Sequence, residues 1–203
     1  MNSREQILGR VRSALAPLPQ RVALPEWERD LVILREARGA VDAWTLFSER
    51  LKLVNGTPLS SVAELVTFLA QHRYFHGYCD PALHAQIGNA FPSEFTVETT
   101  FDRTRVDDYQ FGLTAAAGAI AETGTLILSD ASSSTRLGAL APWVHIAAVR
   151  PDQLFLDIPA ALAALPADPN IVWCTGPSKT ADVEGILIEG VHGPGVQAAL
   201  LLG

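Results

Sequence analysis

Four short apolar runs in the second half of the chain set the terms for its fold. They are Thr125-Leu-Ile-Leu-Ser129, Ile146-Ala-Ala-Val149, Asn170-Ile-Val-Trp-Cys174 and Gln197–Leu202. Each reads as a β-strand. Residues 154–165 hold a helix that begins near Asp157 or Pro159. Strands interleaved with helices predict an α/β sheet, at least partly parallel. Gly112 to Ala121 is almost entirely glycine and alanine, so another backbone or a ligand can approach it closely.

The first half carries more helical signal. Ser61-Val-Ala-Glu64 is a capping box that opens a helix over 62–72. Asp80 followed by Pro81 marks a second helix start. Tyr74–Cys79 and Thr96–Thr99 read as strands, and Trp27–Arg38 and Ala43–Lys52 as helices. Leu51–Val54 is expected as a short strand before the Asn55-Gly56 turn. Ile7, Leu8, Val11, Ala14 and Leu15 form an apolar stripe at helical spacing. The expected division is an N-terminal helix and linker over 1–25 and one α/β domain over 26–203.

The chain has 203 residues, 48% of them hydrophobic and 18% charged, which supports a buried core. Its net charge is −7 and its fifteen basic residues are scattered, which argues against a nucleic-acid footprint. No run of about 18 apolar residues predicts a membrane span. The first residues lack the apolar stretch of a secretory signal, and two cysteines far apart suit a reducing compartment, so a cytoplasmic setting is expected. Two thiols also fall short of the about four ligands an iron–sulfur cluster needs. His72, His76, Cys79 and His84 lie close in sequence, but Gly77 interrupts any helix that aligns them, and no metal site is expected.

In open α/β sheets, ligands lie beyond the carboxyl ends of strands. Several polar segments fall where such loops are expected. Gly176-Pro-Ser-Lys-Thr-Ala-Asp-Val-Glu184 follows a strand; Ser178 or Thr180 either caps a helix starting near Ala181, with Asp182 and Glu184 in its first turn, or joins Lys179 in holding an anion there. His192 and Gly193, in Val191-His-Gly-Pro-Gly195, are either a proton carrier on a tight turn or a helix C-terminus. Glu122, Thr123 and Gly124 form a turn whose glutamate is a base, a nucleophile or an exposed turn residue. Arg136, after a hydroxyl-rich run, suits a carboxylate or phosphate. His145 either faces a pocket or is a satisfied core histidine.

Taken in order, Ala121-Glu-Thr-Gly-Thr125, Arg136-Leu, Ala141-Pro-Trp-Val-His145, Gly176-Pro-Ser-Lys-Thr180 and Gly190-Val-His-Gly-Pro194 resemble the LUD-domain family in its short form without cysteine clusters. The resemblance covers roughly residues 40–203. It implies a Rossmann-like three-layer α/β sandwich similar to the isomerase and CoA-transferase superfamily, with an N-terminal helix. It also implies an accessory role in oxidising L-lactate to pyruvate, beside two partner proteins that carry the iron–sulfur clusters, with a small anionic ligand bound here. The competing expectation is an independent isomerase- or CoA-transferase-like enzyme that uses Glu122. Glu122 and His192 are thus the candidate catalytic groups. Thr123, Gly124, Arg136, His145, Ser178, Lys179, Thr180, Asp182, Glu184 and Gly193 are the candidate ligand contacts, expected around one shared pocket. Val196-Gln197 stands where relatives commonly carry a basic residue.

Overall fold

A computed structural model describes residues 3–17, 42–131, 135–165, 168, 170–181 and 187–203. Contacts divide the chain into residues 1–39 and 40–203. In the first unit, helix α1 spans Ser3–Leu15. The expected helix over 27–38 lies outside the described residues.

Alternation of large and small side chains explains the second unit. Its strands among the described residues are β1 (Thr57–Leu59), β2 (His76–Cys79), β3 (Thr96–Glu98), β4 (Phe111–Ala115), β5 (Gly118–Ile120), β6 (Thr125–Ser129), β7 (Val144–Val149), β8 (Leu154–Phe155), β9 (Ile171–Cys174), β10 (Lys179–Ala181), β11 (Leu187–Glu189) and β12 (Val196–Leu201). Its helices are α2 (Ala43–Leu53), α3 (Val62–Gln71), α4 (Pro81–Ile87), α5 (Arg136–Leu140) and α6 (Ile158–Ala164). The main sheet runs β1-β12-β7-β4-β2-β3, and every pair in it is parallel. One face presents Phe111, Leu113, Val144, Ile146, Ala198 and Leu200 to the apolar sides of α3 and α4. Ala147 and Ala199 point the other way, with Val149, towards α2, α5 and a second sheet. Small residues there let a helix and a sheet press close, which makes the third layer.

That second sheet is the main departure from the sequence expectation. Its order is β8-β5-β6-β9, with β5–β6 and β6–β9 antiparallel. Thr125–Ser129 and Ile171–Cys174 are strands as expected, but they pair with each other and not with the parallel sheet. The chain leaves the main sheet after Ala115 and enters the second at Gly118, held by Ala116 N to Ala148 O (2.9 Å) and Ala117 N to Ile127 O (2.8 Å). The glycine–alanine run is thus the place where one strand path serves two sheets.

Local signals for helix starts hold closely. Ser61 Oγ accepts from Glu64 N at 3.2 Å, Asp80 Oδ1 from Ala82 N at 2.9 Å and Asp157 Oδ1 from Ala160 N at 2.8 Å. Leu51–Leu53, expected as a strand, are the last turn of α2. Leu51 is fully buried, and a turn at Asn55 (φ 65°) then directs the chain into β1. Helical packing of Leu46, Phe47 and Leu51 on one side outweighs the local strand propensity of Leu-Lys-Leu-Val.

Candidate functional site

The loops that carry Trp143, Ser178 and residues 190–195 gather at the amino-terminal ends of the parallel strands, not at the carboxyl ends. Trp143 precedes β7, residues 190–195 precede β12, and Asn55 precedes β1. Val196 N donates to Trp143 O (3.1 Å) and Ser178 N to Pro194 O (2.9 Å). A Cβ on Gly190 or Gly195 would sit 2.3 Å from the Trp143 ring, so only glycine lets this loop lie flat on the indole. Gly193 in turn faces the Ser178 side chain, 3.2 Å from where its own Cβ would stand.

Segment 178–189 corrects a second expectation. Lys179, Thr180 and Ala181 pair antiparallel with Glu189, Ile188 and Leu187, so no helix starts at Ala181. Asp182 and Glu184 lie outside the described residues. Because Lys179–Ala181 are strand, these residues do not form a helix N-terminus for an anion. Lys179 serves the opposite helix pole: its Nζ donates to Val54 O (3.3 Å) at the carboxyl end of α2. It also stands 3.6 Å from Glu189 Oε1, which accepts from Asn55 Nδ2 at 2.9 Å. A cation there neutralises the partial negative charge of the exposed carbonyls. Gly176 (φ 79°) presses on the same end, where a Cβ would fall 2.2 Å from Val54 O.

Glu122 and Arg136 do not share a cavity. They stand at opposite ends of β6, which puts about 17 Å of extended strand between Thr125 and Asp130. Glu122 Oε1 accepts from Ile158 N (3.3 Å) at the start of α6, where a carboxylate complements the free amides. Thr123 turns the other way: its hydroxyl bonds Thr125 (2.7 Å), which bonds Thr175 (2.8 Å). Gly124 (φ 65°) allows the turn to rest on α2, where a Cβ would lie 2.5 Å from Leu51 N. His192 is exposed.

His145 lies within the main sheet, fully buried, and its partners come from the two neighbouring strands. Gln197 Nε2 donates to Ala198 O (3.1 Å) and His145 O (3.4 Å), which leaves Gln197 Oε1 to accept from His145 Nδ1 (3.1 Å). The Thr114 hydroxyl then donates to Nε2 (2.9 Å). Burial pushes the imidazole down to about 4, so it is neutral at physiological pH. This is the core histidine of the two sequence readings. Burial likewise holds the Cys174 thiol up at about 11, and the Cys79 thiol is raised to about 12 by burial and by Asp80.

Arg136 is different, because it opens on a depression of about 740 Å³. Its Nε donates to Asp130 Oδ1 (2.9 Å) and its Nη2 to Asp130 Oδ2, a two-point pair in which both side chains are two-fifths exposed. The Asp130 carboxylate raises the Arg136 pKa further above its ordinary value. Arg103, Thr135 and Asn170 line the same depression with the apolar Leu137 and Leu140. Asp168 holds the neighbouring Asn170: it accepts from the Ser129 hydroxyl, from Ala131 N (3.2 Å) and from Asn170 N (2.8 Å). Those bonds, the Ser129 hydroxyl foremost, hold Asp168 below the usual carboxylate range. Asp130, six residues before Arg136, is legible as its partner by sequence proximity. Arg103 and Asn170 come from distant segments and carry no local signal.

A parallel sheet, helices on one face and a helix-and-sheet layer on the other define a three-layer α/β protein. Residues 54–202 match the LUD domain, and the chain belongs to that family. It is 36% identical over 102 residues to lactate utilization protein C of Deinococcus radiodurans, covering 48% of each chain. It is 32% identical over 106 residues to the protein of that name in Bacillus licheniformis, covering 48% of this chain and 44% of that one. The chain thus spans about half the length of these curated relatives. A crystal structure of a DUF162 family protein from Deinococcus radiodurans superposes with a TM-score of 0.55 at 25% identity, covering 79% of this chain and 96% of that one. Among the described residues, no helix is long and apolar enough to cross a membrane.

Proposed function

We propose that this chain is an accessory component of a lactate-utilisation system, holding a small anionic ligand in the Arg136 depression while partner proteins carry the redox groups. Two relatives named lactate utilization protein C support the system. The observation that supports the ligand class is a guanidinium presented at an open depression that a second arginine, Arg103, also lines. In this reading L-lactate is oxidised to pyruvate on two iron–sulfur partners in the cytoplasm. This chain contributes binding and not electron transfer.

Asp130 is the resident competitor for Arg136, so an incoming carboxylate displaces it or shares the guanidinium. Asp130→Ala is therefore expected to raise the affinity for L-lactate or pyruvate about threefold in calorimetric titration, and Arg136→Ala to abolish it. Unchanged binding in both variants removes the ligand assignment. Capture of the tagged chain from cells growing on lactate is expected to bring down proteins with iron–sulfur absorbance. If the isolated chain oxidises lactate with a simple acceptor, the accessory role is wrong.

A further inference from the structure

Arg103, which lines the depression together with Arg136, belongs to the segment 103–108. It is two 3-10 turns broken at Arg105 (φ −120°, ψ 30°), so no single helix runs through it. Arg103 in it is exposed, and its side chain makes no hydrogen bond or ion pair among the described residues. Its position at the depression is set from outside the segment.

The setting group is Glu98, the last residue of β3. Its Oε1 accepts from His76 Nε2 (2.9 Å) and from Arg105 Nη2 (2.9 Å), and its Oε2 accepts from the Tyr109 hydroxyl (3.0 Å). The same Tyr109 oxygen accepts from Asp102 N (3.0 Å), and Asp102 Oδ1 accepts from Thr104 N (2.9 Å). Arg105 Nε also ties to Asp108 (3.0 Å). Both ends of the segment and its midpoint thus hang from one carboxylate. The Tyr109 ring that transmits the tie is almost wholly buried and stacks on Phe101, 4.7 Å between centroids, so it has little freedom to follow a shift.

We propose that Glu98 is a positioning residue of the depression: by anchoring residues 102–109 it holds Arg103 in the lining it shares with Arg136, and so selects ligands with two anionic groups over monocarboxylates. The inference rests on the depression being an anion site. Arg136 already has a carboxylate in Asp130, whereas Arg103 has none among the described residues. A ligand with one anionic group gains little by reaching both. A dicarboxylate or a phosphorylated acid engages both arginines, and each charge-assisted contact adds to its affinity.

The test compares malonate with L-lactate by calorimetric titration. Glu98→Gln keeps the volume but offers one acceptor oxygen in place of two. It is expected to weaken malonate roughly fivefold and to leave L-lactate within about twofold. Arg105→Ala, at an exposed position that does not threaten the fold, is expected to act in the same direction. Arg103→Ala should match Glu98→Gln, and the double variant should lose no more than either single one, because both remove the same contact. Equal loss for the two ligands, no loss for either, or additive losses in the double variant overturn the positioning role while leaving the anion site standing. If the wild-type chain binds neither ligand, or Arg136→Ala changes neither, the anion site itself is wrong and this inference goes with it.

Discussion

Between pH 7.5 and pH 5 the folded domain is expected to lose about 2 kcal/mol of stability through His145 alone, and about 3 kcal/mol by pH 4. The sign follows from the two end states. In the unfolded chain the imidazole takes a proton near pH 6.5, while in the folded chain burial delays this to about 4. Acid therefore favours the state that binds the proton more readily, which is the unfolded one. The contribution is present above pH 6.5 and drains away as pH falls through the window from 6.5 to 4. Carboxylates held low, such as Glu98 and Asp168, add their own losses only nearer pH 4, which makes pH 5 the informative point. Urea unfolding at both pH values checks the expectation. His145→Gln removes the titrating ring, and its stability should change far less across the same interval, although it starts lower because Thr114 and Gln197 lose their partner. Parallel losses in wild type and variant would show that the burial of this imidazole does not govern the acid response.

Gly112→Ala is expected to destabilise the domain by roughly 3 kcal/mol or more. The new methyl would fall 1.7 Å from the Gly138 carbonyl oxygen, 2.9 Å from its carbon and 3.1 Å from Pro142. A backbone carbonyl cannot rotate away, so α5 must lift off β4. α5 begins with Arg136, and a lifted helix moves the guanidinium away from Asp130 and the depression. Anion binding in the fraction that still folds should fall with stability. Gly9→Ala is the matched control: nothing stands within 4 Å of its Cβ, and in the interior of α1 the exchange should be neutral or favourable by up to about 1 kcal/mol. Chemical denaturation of both variants, with titration of the same ligand, separates the steric cost from a general dislike of alanine. A Gly112→Ala protein that melts with wild type would mean the close contact of α5 with β4 relaxes at no cost.

The two outcomes bear on how far the site was legible. Arg136 and Asp130 are six residues apart, so a local reading reaches the cation and its nearest acid. Glu122 and Lys179 have the same chemistry on paper but are spent on structure. One carboxylate satisfies the start of α6 and one ammonium the end of α2. Whether a charged side chain serves a helix end or a ligand depends on which element folds back beside it, and that is a long-range fact. The helix expected at Ala181 failed for a related reason. Ser-Lys-Thr followed by acids is a sound helix start in isolation, yet Leu187–Glu189 returns to pair with Lys179–Ala181, and a hairpin forms.

What the amino-acid order determined unaided is local: the strand runs, the caps at Ser61, Asp80 and Asp157, the small-residue stretch at 112–121 and the order of motifs that marks the family. These depend on propensities and hydrogen bonds within a few residues, so they survive without knowledge of the rest of the chain. Tertiary structure alone decided that β6 and β9 leave the parallel sheet, that the loops carrying Trp143, Ser178 and residues 190–195 meet at its amino-terminal edge, and that Arg103 and Arg136 line one depression. Strand pairing and the meeting of distant charges are settled by burying the whole core at once, and no short window of sequence carries that competition.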